Sequence, residues 1–350
     1  DTYGYLPIWD LWGQDNYCMI GNHAIPVLAD AILSELPGID VERAYKAMVE
    51  SSTRTHLNSP FEIWEEYGYM PQNKQNVSVS ITMEQAFDDW CVAAVAKKLG
   101  KTEDYERFIK RSEFYRNLFN PATGFFQPKD DKGNWIEPFD PLSYENPCFV
   151  EGNAWQYVWL TPHDFEGLEG CFGGREELLT KLDSLFIVSS DLGEDASPDI
   201  SGLIGQYAHG NEPSHHILYF YTMAGQPWKT ADKEREVLGT LYSARPDGLS
   251  GNEDVGQMSS WYILSSLGFY QVEPASGRYW FGSPLFDKAE IAVAGGTFTL
   301  VAENNSAENR YIQSVTLNGK PYAKGYIEHS DIAAGGKLVM KMGAEPCIWY

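Results

Sequence analysis

The feature that most constrains this chain is a change of hydrophobic period near residue 270. Before it, apolar residues recur at helical spacing between long loops rich in Gly, Pro and aromatics. After it come short strand-like runs: RYWFG, AEIAVAGGTFTLVAE, YIQSVTLNG and KLVMKM. Asn318-Gly319 and Gly295-Gly296 mark hairpins among them. No uniform architecture serves both patterns. The expectation is a mainly α protein, with a helical body over 1–270 and a small antiparallel β-rich region over 271–350.

The helical part reads as about eight helices. One covers Asn22 to Leu36. Asp40 caps the next, VERAYKAMVESS, with Glu42 in its first turn. Thr82 to Gln85 has the pattern of a capping box opening a helix to Leu99, which Gly100 stops. Thr102 starts a run ending at Asn120-Pro121. Arg175 to Phe186 is a further amphipathic run. Pro213 and Pro227 sit where first turns begin, with helices running to about Tyr221 and Tyr242. The last helix is expected from Glu253 to Leu267. The loops between helices are longer than packing requires, and such loops usually carry function.

Charge and composition remove several function classes. The 350 residues hold 26 Lys and Arg against 49 Asp and Glu, a formal charge of −23. Such a surface repels phosphate backbones and anionic membranes, so neither nucleic acid nor membrane insertion is expected. No window approaches the ~20 apolar residues of a membrane span. The five scattered cysteines form no CxxC pair and suit buried thiols better than disulfides or thiolate zinc sites. The first residue is Asp1 rather than an initiator Met, so a trimmed segment is expected. No GxGxxG, P-loop or GxSxG string is present, which withdraws the cheapest support for nucleotide or Ser-hydrolase chemistry.

Four loop segments concentrate carboxylates, amides and imidazoles beside glycine: residues 4–13, 144–164, 210–216 and 248–258. Asn252, Glu253 and Asp254 are consecutive oxygen donors between two glycines. They suit acid–base work, a hard cation or the capping of a helix. Glu151 lies among Phe, Val and Trp. There a carboxyl is poorly solvated, and its pKa is expected to rise toward that of a general acid; the alternative reading is a Glu at the start of a helix. His215 and His216 are adjacent, so on a helix they point apart. A first-turn structural role or a substrate hydrogen bond fits His215 better than a shared metal. Trp12, Trp155 and Trp159 offer flat apolar faces for a sugar ring, or for the core.

Taken together, GYLPIWDLWG, ENPCFVEGNAWQYVWLTPHD, GNEPSHHILYFY and GLSGNEDVGQMSSWYILSSLGFY resemble glycoside hydrolase family 92, the calcium-dependent exo-α-mannosidases. The resemblance runs from about residue 4 to 350. It implies an (α/α)₆-type helical toroid, here incomplete, because the family's N-terminal β-sandwich and first helices do not precede it. It implies Glu151 as general acid and Asp254 as general base of an inverting hydrolysis of terminal α-mannosidic bonds. Asn252 stands where some members carry a second carboxylate. Asn211 and Glu212 fall where α-1,2-specific members recognise the next sugar, and Trp155 and His215 complete the expected substrate contacts. Calcium is expected near Asp254, Asn252 and Glu253. Mannose-containing oligosaccharides or glycoproteins are the implied partners, beside a missing N-terminal portion, and a secreted or periplasmic location follows. The competing reading is a silent fragment that binds carbohydrate or serves as a scaffold.

Overall fold

The computed structural model describes residues 3–56, 59–193 and 196–350. The chain divides into two compact units. Unit 1 comprises Asp1–Gly174, Asp191–Ser197 and Pro274–Ser276; unit 2 comprises Arg175–Ser190, Pro198–Glu273 and Gly277–Tyr350.

Unit 1 opens with a hairpin of β1 (Asp10–Leu11) and β2 (Gln14–Asp15). Its helices are α1 (Ala24–Leu33), α2 (Val41–Ser51), α3 (Phe61–Tyr67), α4 (Ser78–Leu99), α5 (Thr102–Arg111), α6 (Ala154–Tyr157) and α7 (Phe165–Phe172). A second small ladder joins β3 (Phe119–Asn120) to β4 (Phe125–Phe126). Asp40 caps α2 as its sequence predicts, its carboxylate accepting from Arg43 N at 3.2 Å. Gly100 ends α4 in the left-handed region at φ +70, which a residue with a Cβ adopts only under strain.

The start of α4 differs from expectation. The helix begins at Ser78, and Thr82 lies one turn inside it, donating its hydroxyl to Ser78 O at 2.8 Å and accepting from Met70 N at 3.0 Å. The physical reason is that other chain caps this helix. Val77 N donates to Pro147 O at 2.7 Å, and Val79 N and Ser80 N both reach Cys148 O, at 3.1 and 3.3 Å. Those carbonyls satisfy the first-turn amides, so no side-chain cap is required. The run after Thr102 also ends sooner than expected: α5 stops at Arg111 and a 3₁₀ turn, Phe114–Leu118, follows.

The core of unit 1 gathers Ile25, Ala29 and Ile32 of α1, Met48 of α2, Val92 and Val95 of α4, and Phe108 of α5. A buried ion pair ties α4 to α5. Arg111 gives two hydrogen bonds of 2.8 Å to Asp89, whose carboxylate also accepts from Trp64 Nε1 at 3.0 Å.

Unit 2 contains α8 (Arg175–Leu185), the ladder of β5 (Leu203–Ile204) and β6 (Tyr207–Ala208), α9 (Phe220–Met223), α10 (Pro227–Thr240) and α11 (Gln257–Leu267). Pro227 opens α10 as expected. The helix expected from Pro213 to Tyr221 is broken into two 3₁₀ turns, Glu212–Ser214 and Ile217–Tyr219, followed by α9. Among the described residues the chain holds twelve α-helices and three 3₁₀ turns, many short, where sequence periodicity suggested about eight.

The strands that follow are β7 (Phe269–Tyr270), β8 (Arg278–Phe281), β9 (Lys288–Val293), β10 (Gly296–Glu303), β11 (Tyr311–Leu317), β12 (Lys320–Pro321), β13 (Tyr326–Glu328) and β14 (Gly336–Gly343), with α12 (His329–Ala333) before β14. They form a five-stranded sheet of order β12-β11-β14-β10-β9 and a three-stranded sheet β13-β8-β7. All of these pairs are antiparallel except β10 with β14, which is parallel. Alternate residues Phe298, Leu300 and Ala302 face Leu338, Met340 and Met342 in one core. In β11 the buried pair is Ile312 and Val315, three apart, because an irregularity between Ile312 and Ser314 shifts the register. Asn318 and Gly319, both at positive φ, make the predicted tight turn between Leu317 and Lys320.

Glu234 of α10 is fully buried and accepts hydrogen bonds from Ser283 N and Tyr219 Oη, the latter at 3.1 Å. Burial pushes its carboxyl up to about 8. Since the folded value exceeds the unfolded one, its stabilising effect is complete below about pH 4.3 and is lost as pH rises through about 8. Glu234→Gln mimics the protonated form. Thermal melts should show the native protein losing Tm between pH 5 and 8 relative to the variant; parallel curves would refute a protonated Glu234.

Candidate active site

In unit 1, Glu151 is half-buried on the turn that leads into α6, with a backbone φ of +47. It lies two residues before Asn153, the true cap of α6. Asn153 accepts from Trp155 N at 2.9 Å, while its own N–H donates to Gln156 Oε1 at 2.8 Å. Trp155 is half-buried, edge-on to Phe125, and keeps part of its ring accessible. Trp159 is fully buried and therefore core, not a sugar platform. Trp12 is 97% exposed at the tip of the β1–β2 hairpin. Beside that hairpin is a cavity of about 180 Å³ lined by Tyr3, Tyr5, Pro7, Asp10, Gly13, Gln14 and Asp15.

In unit 2 the two Gly-Asn dipeptides meet. A Cβ on Gly251 would lie 2.6 Å from Gly210 O, and one on Gly210 would lie 2.9 Å from Ser250 O. Only glycine permits that approach, and it places Asn211 and Asn252 on adjoining loops. Asn211 is buried and caps the Glu212–Ser214 turn, its side-chain oxygen accepting from Glu212 N at 3.2 Å. Glu212 is half-buried, and Asn252 is exposed with its amide donating to Asp199 Oδ1 at 3.0 Å.

The helix expected to begin at Glu253 begins at Gln257. Asp254, Val255 and Gly256 precede it at φ +50, +55 and +103. Three successive left-handed residues cannot be helix, and Val255, β-branched and 90% exposed, gains no packing for its strain. Glu253 holds the turn in place: its carboxylate accepts from Gly256 N at 2.6 Å and from Ser259 Oγ at 2.7 Å. Those bonds lower its pKa, Ser259 contributing most. Glu253 thus holds the turn that leads into α11, and its Oε2, which accepts a single bond, keeps a lone pair for the cation expected there. The Asp254 carboxylate is half-buried and, among the described residues, engaged by no hydrogen bond or ion pair.

Of the two roles expected for His215, its hydrogen bonds fill the structural one. It is 2% exposed, and its Nε2 lies 2.9 Å from His209 O, which can only accept. Nε2 therefore carries the proton, and Nδ1 accepts from Gln257 Nε2 at 3.0 Å. Burial pushes its pKa down to about 4, so the ring is neutral. Trp261 Nε1 donates to His215 O, and His209 is itself held between Tyr207 and Tyr242 hydroxyls at 2.8 and 2.7 Å. His215 is structural, with no nitrogen left for a substrate. Gln257 and Asp199 join the site's framework without having been singled out; Gln257 stood within the GNEDVGQM string, whereas nothing local marks Asp199.

In each unit by itself, the singled-out loops carry oxygen donors on left-handed backbone. The chain belongs to glycosyl hydrolase family 92: residues 1–344 match the model of that family's catalytic domain. It is similar to a family GH92 α-mannosidase from Bacteroides thetaiotaomicron solved in complex with mannoimidazole, with 40% identity and a TM-score of 0.93 over 98% of this chain and 46% of that one. A family GH92 inverting mannosidase from Bacteroides thetaiotaomicron VPI-5482 shares 34% identity at a TM-score of 0.88, over 99% and 50% of the two chains. A curated relative from Arthroderma benhamiae, described as an uncharacterized secreted glycosidase, is 28% identical over all of this chain and 49% of its own length. The chain thus spans about half the length of these relatives.

Gly251→Ala should lower Tm by the equivalent of about 1–3 kcal/mol, because backbone cannot yield to the added methyl as a side chain could. Gly239, within α10 with no atom near its Cβ position, is the control: Gly239→Ala should raise stability by about 0.5–1 kcal/mol. Equal effects of the two substitutions in a melt would contradict the close approach.

Proposed function

We propose that the protein hydrolyses terminal α-mannosidic bonds with inversion, Glu151 acting as general acid and Asp254 as general base. The carrying observation is that these two carboxylates, unlike Glu253, sit on left-handed backbone within the family match. Non-glycine residues held in that region concentrate at functional sites. The similarity to two mannosidases supports the substrate class, and the inverting one supports the stereochemistry.

The reading asks little else of the side chains. Glu151, protonated, delivers its proton to the glycosidic oxygen as the bond to the anomeric carbon breaks. Asp254, ionised, takes a proton from the water that attacks the opposite face. Inversion requires room for that water, about 6.5–9.5 Å between the carboxyl groups. An Asp254 carboxylate without competing protein donors suits a base. Asn211 and Glu212 serve the sugar beyond the scissile bond, which favours α-1,2 linkages, and Trp155 offers its accessible ring face to the mannose. The helical part of the chain is read as a portion of an (α/α)₆ toroid, completed by a preceding portion of the protein.

Calcium is the implied cofactor. The donors fit the group: the Asn252 side-chain oxygen and the Asp254 carboxylate are hard ligands, and Glu253, though hydrogen-bonded to the turn before α11, keeps an Oε2 lone pair. Among the described residues no group of three His, Cys, Asp or Glu forms a metal cage. Calcium takes six to eight oxygens, so backbone carbonyls, water and sugar hydroxyls would complete its shell. When bound it would orient mannose hydroxyls and favour ring distortion. No described helix is long and apolar enough to cross a membrane, and the secreted description of the fungal relative supports a secreted or periplasmic setting.

Two variants and two substrates test the roles. With the missing N-terminal portion restored, Glu151→Gln should lower kcat on a mannobiose by at least ~10²-fold, yet retain far more activity on an aryl α-mannoside whose leaving group needs no proton. Asp254→Asn should be equally poor on both. The reverse pattern would exchange the roles, and mannoside binding without turnover by the native protein would favour the carbohydrate-binding alternative. A chelator should abolish activity, calcium should restore it and zinc should not; activity unchanged by chelation removes the metal.

A further inference from the structure

The residue before Glu151 is gripped from both sides. Val150 N donates to Ser80 Oγ at 3.0 Å, and Val150 O accepts from Tyr157 Oη at 2.7 Å. The second bond belongs to the peptide group that joins Val150 to Glu151, so it sets the plane from which the Glu151 side chain departs. Ser80 is fully buried in the first turn of α4, and Tyr157, 2% exposed, closes α6. The grip is built into the surrounding chain. Two carbonyls just upstream, of Pro147 and Cys148, accept from the first amides of α4. Gly152, immediately after Glu151, has the Tyr157 ring where a side chain would start: a Cβ there would lie 2.9 Å from the ring.

Left-handed backbone at a glutamate does not persist unless its surroundings impose it. The bonds to Val150 impose on the peptide group directly before Glu151. We propose that Ser80 and Tyr157 are positioning residues that clamp the Val150–Glu151 peptide and so aim the Glu151 carboxyl. This rests on the reading of Glu151 as general acid. A clamp on the acid differs from a general structural support. It matters in proportion to how much the leaving group needs a proton, and it matters nothing once the acid is gone.

Tyr157→Phe removes one hydroxyl and keeps the ring; Ser80→Ala removes the other contact should the first variant melt early. Steady-state kinetics of the protein with its preceding portion restored, on a mannobiose and on an activated aryl α-mannoside, read the effect. Tyr157→Phe should lower kcat on the disaccharide by about 10-fold or more, with KM within about 2-fold, and leave the aryl substrate nearly untouched. In a Glu151→Gln background it should add less than about 2-fold. Equal losses on both substrates, or a loss that multiplies with Glu151→Gln, would overturn the clamp while leaving the acid in place. If Glu151→Gln itself shows no dependence on the leaving group, the acid assignment falls and the clamp with it.

Discussion

A helix buried on every side can settle its polar groups only against the rest of the protein, because an unpaired polar group out of water costs several kcal/mol. α4 is such a helix over most of its length. Its buried residues include Ser78, Ser80, Thr82, Glu84, Gln85, Asp88 and Asp89 beside its apolar ones. Each settlement attaches another segment. Asp89 holds Arg111 of α5 and Trp64 of α3, and Arg111 in turn reaches Ser52 O at 2.8 Å. Asp88 accepts from Asn22 N at the entrance to α1, Ser78 donates to Gln72, and Ser80 takes the loop that carries Glu151. Removing one partner of the Asp89–Arg111 pair would strand a buried charge, a loss of about 3–5 kcal/mol. Burial raises the pKa of Glu84 and raises Asp88 well above the usual range, so this helix carries less charge than its letters suggest.

The same fact explains what the sequence could and could not reveal. The period of α4 is faint because most of its length has no solvent face, and Thr82 imitates its start because Thr-x-x-Gln resembles a cap. The actual cap is backbone from some seventy residues away, which leaves no local mark. By contrast, Asp40, Gly100, Pro227 and Asn318-Gly319 are local devices, and they stand where their chemistry places them. The switch from helix to strand near residue 270 was legible for the same reason: alternation within a strand depends only on neighbours two apart. The parallel pairing of β10 with β14 depends on distant chain and was not.

The site divides in the same way. Motif resemblance isolated Glu151, Asp254, Asn211, Glu212 and Asn252 without knowledge of their surroundings. It could not separate residues that face a ligand from residues that hold the loop. Asn211, Glu253 and His215 all hold their loops through side-chain bonds. The carboxylate of Glu253 holds the turn before α11 by bonds to Gly256 and Ser259, and the imidazole of His215 is locked neutral between His209 and Gln257. Such support travels with function in a motif because both are indispensable to the loop. Hydrogen-bond geometry shows which side chains hold it.

The contact between Gly210 and Gly251 carries a consequence for how these loops can vary. It is made of main chain on both sides, so no pair of side chains can trade size or charge across it. A mutation on one loop therefore has no compensating partner on the other, and covariation between them has no physical currency. Both glycines also face Ser201, whose Oγ would lie 2.0 and 3.0 Å from a Cβ added to Gly210 and Gly251. Transplanting either loop into another scaffold would need the opposite backbone supplied at the same separation, so the two Gly-Asn segments, forty-one residues apart in sequence, form one heritable part.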